Sequence, residues 1–154
     1  MAVEIERKFK VANAGWRDTV TRSTSLRQGY VSTKPEATVR VRLENGVGTL
    51  TIKSKTRGIS RSEFEYDIPN SEATQLLQLC EGPLIEKIRH LVIIGEHTWE
   101  IDEFSGDNQG LIIAEIELSS EDESFKKPGW LGKEVSHDAR YYNSSLVIHP
   151  YNQW

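Results

Sequence analysis

Like-charged side chains recur in pairs, two positions apart, along most of this sequence. The acidic pairs are Glu4/Glu6, Glu63/Glu65, Glu100/Asp102 and Glu115/Glu117, and the basic pairs are Arg40/Arg42, Lys53/Lys55 and Lys87/Arg89. Carboxylate oxygens are the ligands that hard divalent cations prefer. Arginine binds phosphate oxygens through two parallel hydrogen bonds, and lysine binds them as a point charge. The two sets together favour a site for a polyphosphate with bound Mg²⁺ or Mn²⁺.

The pairs lie in segments where apolar and polar residues alternate, which is the pattern of a β-strand with one apolar face. Residues two apart on a strand point to the same side, about 6.6 Å apart, so each pair presents two like charges on one face. The short connections, such as the hairpin turn at Asn45-Gly46, predict antiparallel neighbours. The predicted strands are Val3–Val11, Val39–Leu43, Leu50–Lys55, Glu63–Ile68, Glu86–Val92, Trp99–Asp102 and Ala114–Leu118, and a less regular segment near Leu26–Thr33 would make eight.

An ordinary sheet face exposed to water, with cross-strand salt bridges, is the alternative interpretation of any one pair. Each exposed ion pair contributes only about 0–1 kcal/mol, and repeating like-charged pairs over seven strands is costly without compensation. We therefore expect a closed eight-stranded antiparallel β-barrel, mainly β, whose ionic face points inward. Its outward apolar face needs cover, for which the sequence offers short helices and tryptophans: Ser71–Leu79, Asn13–Val20, a helix beginning at Glu121, Asn143–Ile148, Trp16, Trp99 and Trp130.

Composition limits the class of protein. The chain has 154 residues, 27% of them charged, and a net charge of −4, which predicts one folded domain over residues 1–154. It has no apolar run of the roughly 20 residues that a membrane span requires. The charged start of the chain does not resemble a signal peptide, and the single Cys80 excludes an internal disulfide. These features predict a cytoplasmic protein without a membrane partner, and the negative net charge argues against a nucleic-acid partner.

The ordered set of motifs resembles the CYTH superfamily, the triphosphate tunnel metalloenzymes. The chain opens with E-x-E-x-K at Glu4, Glu6 and Lys8, continues with the pairs named above in the family's order, and ends with a D-x-R-Y-x-N segment from Asp138 to Asn143. The resemblance covers essentially the whole chain. It implies an eight-stranded tunnel that hydrolyses or cyclises triphosphates with Mg²⁺ or Mn²⁺.

The predicted roles follow from charge and from this resemblance. We expect phosphate oxygens to be bound by basic residues and the metal by acidic ones, with the first and last strands meeting at one seam of the barrel. The predicted phosphate ligands are Lys8, Arg40, Arg42, Lys53, Lys55, Arg89 and Arg140; the predicted metal ligands are Glu4, Glu6, Glu115 and Glu117, followed by Glu63 and Asp102. Tyr30 and Lys87 are the candidates for the base that activates water, with packing and phosphate binding as their respective alternatives.

The leading expectation for activity is hydrolysis of inorganic triphosphate to pyrophosphate and phosphate. Thiamine triphosphatase, nucleoside triphosphatase and adenylate cyclase activities on the same fold are alternatives, and a non-catalytic polyphosphate- or nucleotide-binding module is an alternative of another class. The abundant carboxylates argue against a pure anion binder. The tail from Tyr151 to Trp154 could plug one mouth of the tunnel or mediate a homodimer.

Overall fold

A computed structural model describes residues 2–154 of the chain. Its strands are β1 (Val3–Val11), β2 (Val20–Ser32), β3 (Ala37–Glu44), β4 (Val47–Ser54), β5 (Ser60–Ile68), β6 (Glu81–Ile94), β7 (His97–Phe104), β8 (Ile112–Glu117) and β9 (Leu131–Glu134). The α-helices are α1 (Asn70–Leu77) and α2 (Asn143–Ile148), and short 3₁₀ helices span Gly15–Thr19, Gly106–Asn108, Ala139–Tyr141 and Tyr151–Gln153. Within this part of the chain, no helix is long and apolar enough to span a membrane.

Eight of the strands close into an antiparallel barrel, which confirms the predicted fold class. The strand order is β5-β4-β3-β2-β6-β7-β8-β1, with β9 added outside β1, and pairing of β1 with β5 completes the circle. The β1–β8 seam joins Glu6 to Glu117 and Lys8 to Glu115 as cross-strand partners, as expected for the first and last strands of the barrel. The β1–β5 seam is short, running from Val3↔Ser62 to Ile5↔Ser60. The charged pairs, apart from Lys55 beyond the end of β4, therefore have fixed positions around one ring.

The apolar outer face is covered in three places. Trp16, Trp99 and Trp130 form one cluster with Phe9 over β1, β7 and β8, so the predicted covering role of these tryptophans is confirmed. Helix α1 packs Ala73 and Leu77 against Val41. The C-terminal segment supplies the third cluster with Tyr141, Leu146 and Val147. Packing on the outside leaves the polar inner positions of the strands facing one another across the barrel.

Several boundaries differ from the predicted ones, and the causes lie outside the local sequence. Strand β2 begins at Val20, six residues before the predicted segment, because it pairs with β6 over its whole length. Strand β6 begins at Glu81 and contains Gly82-Pro83, which the sequence indicated as the end of a helix. The proline is accommodated by a register shift against β2 and by a positive φ of 64° at Gly82.

The structure confirms some of the predicted helices and contradicts others. Helix α2 occupies the predicted residues, whereas α1 begins and ends earlier than expected. Its first residue, Asn70, accepts a hydrogen bond from the Gly48 amide through its side chain. The segment 13–20 holds only the short 3₁₀ helix. The helix predicted to begin at Glu121 is wrong: that segment is a turn in which Glu123 contacts His97 and the Ser119 amide. Strand β9 was not predicted.

Candidate functional site: a tunnel with an acidic and a basic wall

The two signs of charge lie on opposite walls of the tunnel. The basic wall consists of the adjacent strands β4, β3, β2 and β6, and the acidic wall consists of β7, β8, β1 and β5, which are also adjacent. Inward-facing Lys53, Arg40, Arg42, Lys87 and Arg89 belong to the basic wall; Glu100, Asp102, Glu115, Glu117, Glu4, Glu6, Glu63 and Glu65 belong to the acidic wall. Among residues 2–154, Lys8 and Arg61 are the cations that the acidic wall contributes to the cavity lining. Closure of the barrel thus converts pairs that are scattered in sequence into two opposed surfaces.

Most of the predicted site residues line one cavity of about 230 Å³. Those found there are Glu4, Glu6, Lys8, Tyr30, Arg40, Arg42, Lys53, Glu63, Lys87, Arg89, Glu115 and Glu117. Three predicted residues lie elsewhere. Lys55 follows the end of β4 and is exposed, because the strand alternation stops at Ser54. Arg140 is exposed and paired with Asp138 at 2.8 Å.

Asp102, the third of these residues, is fully buried behind the tunnel surface. Its carboxylate accepts hydrogen bonds from Lys87 Nζ at 2.7 Å and from Arg89 Nε and Nη2 at 2.8 and 2.9 Å. Burial opposes ionisation, but Arg89 and Lys87 outweigh it and lower the pKa of Asp102. Asp102 is therefore an internal counter-ion of two basic side chains.

Some carboxylates of the acidic wall are already neutralised by protein cations. Glu4 lies 3.0 Å from both Lys53 Nζ and Arg61 Nε. Burial alone would raise the pKa of Glu4, but these two cations lower it to about 2. Glu115 is held by Lys8 at 2.9 Å, and its pKa is also lowered against the effect of burial.

Other carboxylates on the same wall are only partly compensated: Glu6 shares Lys8 with Glu115, and Glu63 shares Lys53 with Glu4, each at 3.3 Å. Burial and the neighbouring Glu115 raise the pKa of Glu6 well above its usual range. Burial, together with nearby carboxylates that include Glu4, likewise raises the pKa of Glu63 and Glu117. Carboxylates that lie close together in a poorly solvated site repel one another, and a hard cation relieves this repulsion. Carboxylate oxygens are also the ligands that such a cation prefers.

The donor chemistry of the acidic wall therefore fits Mg²⁺ or Mn²⁺. Among residues 2–154, no three carboxylate, histidine or cysteine side chains already lie in an arrangement that would hold a metal ion. The ion pairs of Glu4 and Glu115 explain this, because Lys53, Arg61 and Lys8 occupy the carboxylate oxygens. Metal binding would require these cations to release them.

The basic wall has unused hydrogen-bonding capacity. Arg40 is buried, its Nη2 donates to Thr51 Oγ1 at 3.1 Å, and its Nε has no partner in the described structure. Burial, with the nearby charges of Arg40 and Arg89, lowers the pKa of Arg42 to about 10. Burial lowers the pKa of Lys87 to about 7 even though Asp102 opposes the shift. A buried donor without an acceptor costs roughly 1–3 kcal/mol, so an anion bound here would be stabilised.

Sequence reasoning did not assign four further residues that contact this network. Arg61 lines the cavity two positions before Glu63, so the alternation along β5 could have revealed it. Asn143 lines the cavity from the start of α2, and Gln28 is fully buried on β2 next to it. These two residues and Thr38 carry no charge, and the charge pattern therefore gave no signal for them.

The fold and the site define a class of protein: a closed β-tunnel that presents one wall suited to phosphate and an opposite wall suited to divalent cations. A family model described as the CYTH domain matches residues 2–147. An inorganic triphosphatase of Acetivibrio thermocellus is 48% identical over 155 residues, covering 100% of this chain and 99% of the relative. An inorganic triphosphatase of Nitrosomonas europaea is 36% identical over 149 residues, covering 94% and 97%.

A solved structure agrees with these sequence matches. The crystal structure of the inorganic triphosphatase NE1496 matches with a TM-score of 0.69 and 34% identity, covering 94% of this chain and 97% of that one. The chain belongs to the CYTH domain family, which confirms the resemblance inferred from its motifs.

Proposed function

We propose that this protein hydrolyses inorganic triphosphate to pyrophosphate and phosphate inside the tunnel, with Mg²⁺ or Mn²⁺ bound to the acidic wall. The observation that carries the proposal is the separation of charge between the two walls. The basic wall would be sufficient to bind an anion alone. The carboxylates on the opposite wall are explained if the anion binds together with divalent cations. The names of the two relatives that cover nearly the whole chain support the same reaction.

The size of the cavity supports a small substrate. Its volume of about 230 Å³ is below the roughly 300–1,000 Å³ of pockets for drug-sized ligands. Recognition of a thiamine ring would need an aromatic face in the tunnel, and Trp99 points away from it, fully buried in the outer cluster. Both observations favour an inorganic chain of phosphates over a thiamine or nucleoside triphosphate.

In this proposal the substrate lies along the basic wall, where Arg40, Arg42, Lys53 and Arg89 contact phosphate oxygens and Lys8 contacts them from the acidic wall. Fixed positive charge stabilises the charge that develops on those oxygens during transfer. Water attacks a terminal phosphorus, the bridging P–O bond breaks, and pyrophosphate leaves with the bonding electrons.

The proton lost by the water needs an acceptor. Lys87 is suited to this role because its pKa is lowered to about 7, so that the neutral amine exists near physiological pH. Tyr30 lines the same cavity and is the second candidate.

The acidic wall supplies the proposed metal ligands. Glu6 and Glu63 each share their lysine with another carboxylate, and Glu117 lies near Glu4 and Glu63. Glu4 and Glu115 would become available if Lys53, Arg61 and Lys8 turned to the phosphate. Asp102 is not included, because Lys87 and Arg89 occupy its oxygens. A divalent cation held there would neutralise phosphate oxygens and lower the pKa of bound water.

The test is phosphate release from tripolyphosphate, ATP, thiamine triphosphate and pyrophosphate, with Mg²⁺, Mn²⁺ or EDTA. We expect EDTA-sensitive release chiefly from tripolyphosphate. Arg42→Gln is expected to lower kcat/KM by roughly 10- to 100-fold, which corresponds to loss of a hydrogen bond from a charged group. Arg27→Gln is the matched control, because Arg27 is exposed on the outer face of the neighbouring strand.

Each other outcome has a defined meaning. Release chiefly from ATP or thiamine triphosphate would keep the tunnel chemistry and change the substrate. No release from any of the four compounds, with no cyclic product from ATP, would contradict the proposal and favour the binding-module alternative.

A further inference from the structure

Two amide side chains, the buried Gln28 and the half-buried Asn143, connect cations of the basic wall. Gln28 Oε1 accepts a hydrogen bond from Arg42 Nε at 2.9 Å, and Gln28 Nε2 donates to Asn143 Oδ1 at 3.0 Å. Asn143 Oδ1 also accepts from Lys87 Nζ at 3.0 Å. Because arginine and lysine offer only donors, the amide oxygens must face them, and this fixes the direction of every bond in the chain. Arg42 and Lys87 are thereby linked through neutral groups.

Arg42 differs from its neighbours in having no carboxylate partner. The other cations that line the cavity are all within 4 Å of a carboxylate: Lys8, Arg40, Lys53, Arg61, Lys87 and Arg89. For Arg42, across residues 2–154, the recorded side-chain partner is the Gln28 amide. Gln28 is fully buried, so water does not take over this contact.

A neutral partner has a different effect from a charged one. A carboxylate at 2.9 Å would orient the guanidinium and also cancel its charge, and a phosphate would then have to displace it. An amide at the same position orients Arg42 through Nε and leaves both terminal nitrogens and the full positive charge for the ligand. The attraction between this guanidinium and a phosphate is strong because little water screens charges inside the tunnel.

We propose that Gln28 is a positioning residue for polyphosphate binding, which holds the Arg42 guanidinium toward the tunnel without neutralising it, with Asn143 fixing the Gln28 amide in turn. The inference rests on the proposed function, because its ligand is the polyphosphate. It assigns a role to a residue outside the charged motifs. It also predicts that folding stability and ligand affinity respond in opposite directions when a charge is placed at this position.

The decisive variant is Gln28→Glu, which keeps the size of the side chain and adds one negative charge. We expect its Tm to equal or exceed that of the unmodified protein, because the counter-ion that Arg42 gains outweighs the hydrogen bond that Nε2 no longer donates to Asn143 Oδ1. The affinity for tripolyphosphate in EDTA, measured by calorimetry, is expected to fall at least tenfold. In steady-state assays with metal, KM should rise at least tenfold and kcat should change by much less.

Two further variants separate positioning from simple structural support. Gln28→Met removes the hydrogen bond without adding charge, and we expect it to lower both Tm and affinity. Gln109→Glu makes the same chemical change at an exposed loop position and is expected to leave both quantities unchanged. A Gln28→Glu protein that loses Tm in step with affinity would show a structural role only and would overturn the inference.

The outcomes also distinguish this inference from the proposed function. If the unmodified protein binds and hydrolyses tripolyphosphate while Gln28→Glu binds it within twofold as well, the inference alone fails. If the unmodified protein neither binds nor hydrolyses tripolyphosphate, the proposed function fails and the inference falls with it.

Discussion

Replacing Asp102 by asparagine tests whether the tunnel is built from internally compensated charges. Asp102 is fully buried and receives hydrogen bonds from Lys87 at 2.7 Å and from Arg89 at 2.8 Å. The Asp102→Asn change leaves these two buried cations without their shared counter-ion. Removing one partner of a buried ion pair costs about 3–5 kcal/mol.

This cost converts into a measurable shift. An unfolding entropy of about 2.1 cal/mol/K per residue gives about 0.3 kcal/mol/K for a chain of 154 residues. We therefore expect Asp102→Asn to lower Tm by roughly 10–15 °C. The control is Glu96→Gln, which removes a carboxylate from the exposed turn between β6 and β7 and should change Tm by roughly 2 °C at most.

The second half of this experiment adds tripolyphosphate in the presence of EDTA. An anion in the tunnel would supply the counter-charge that Asp102→Asn removed, so the ligand should raise the Tm of the variant more than it raises the Tm of the unmodified protein. Differential scanning fluorimetry over a ligand titration measures both shifts. An Asp102→Asn protein with an unchanged Tm, or with the same ligand-induced shift as the unmodified protein, would show that Asp102 does not compensate these two cations.

Three further predictions concern single side chains. The rate of phosphate release should rise as pH increases through about 7, because the lowered pKa of Lys87 makes the neutral amine available there. Lys87→Gln should remove this rise from the pH–rate profile. A rise that persists in the variant would assign it to another group. The Arg7 side chain, 2.6 Å from Glu134, is the main cause that lowers the pKa of Glu134 below its usual 4.5, so this pair stabilises the fold above about pH 4.5 and is lost as pH falls. Glu134→Gln should therefore lower Tm by about 1–3 °C at pH 7 and by progressively less as the pH falls below 4.5, and an effect independent of pH would contradict this. Finally, Lys53→Gln should reduce kcat/KM far more than Lys55→Gln, because, of these two lysines, Lys53 faces the tunnel. Equal reductions of kcat/KM in steady-state assays would indicate that Lys55 also contacts the substrate.

The sequence determined the strands, the inward face of each and the chemistry of that face. Alternation with a period of two is a local property of the chain, so Glu4 and Glu6, or Arg40 and Arg42, share a face wherever their strand is placed. The hairpin at Asn45-Gly46 was equally predictable, because both residues adopt positive φ, at 52° and 78°. Local pattern fails at strand ends, and for that reason Lys55 was placed in the tunnel although β4 ends at Ser54.

Tertiary structure alone decided which charges meet. Strand order and register depend on pairing between distant segments, so the sequence could not show that the basic strands are adjacent and that the acidic strands face them. For the same reason it could not show that Asp102 is opposite Arg89 and paired with it, whereas Glu6 has to share Lys8 with Glu115. Gln28 is the clearest case: an uncharged residue in a strand carries no signal of its own, and closure of the barrel brings it against Arg42 and Asn143.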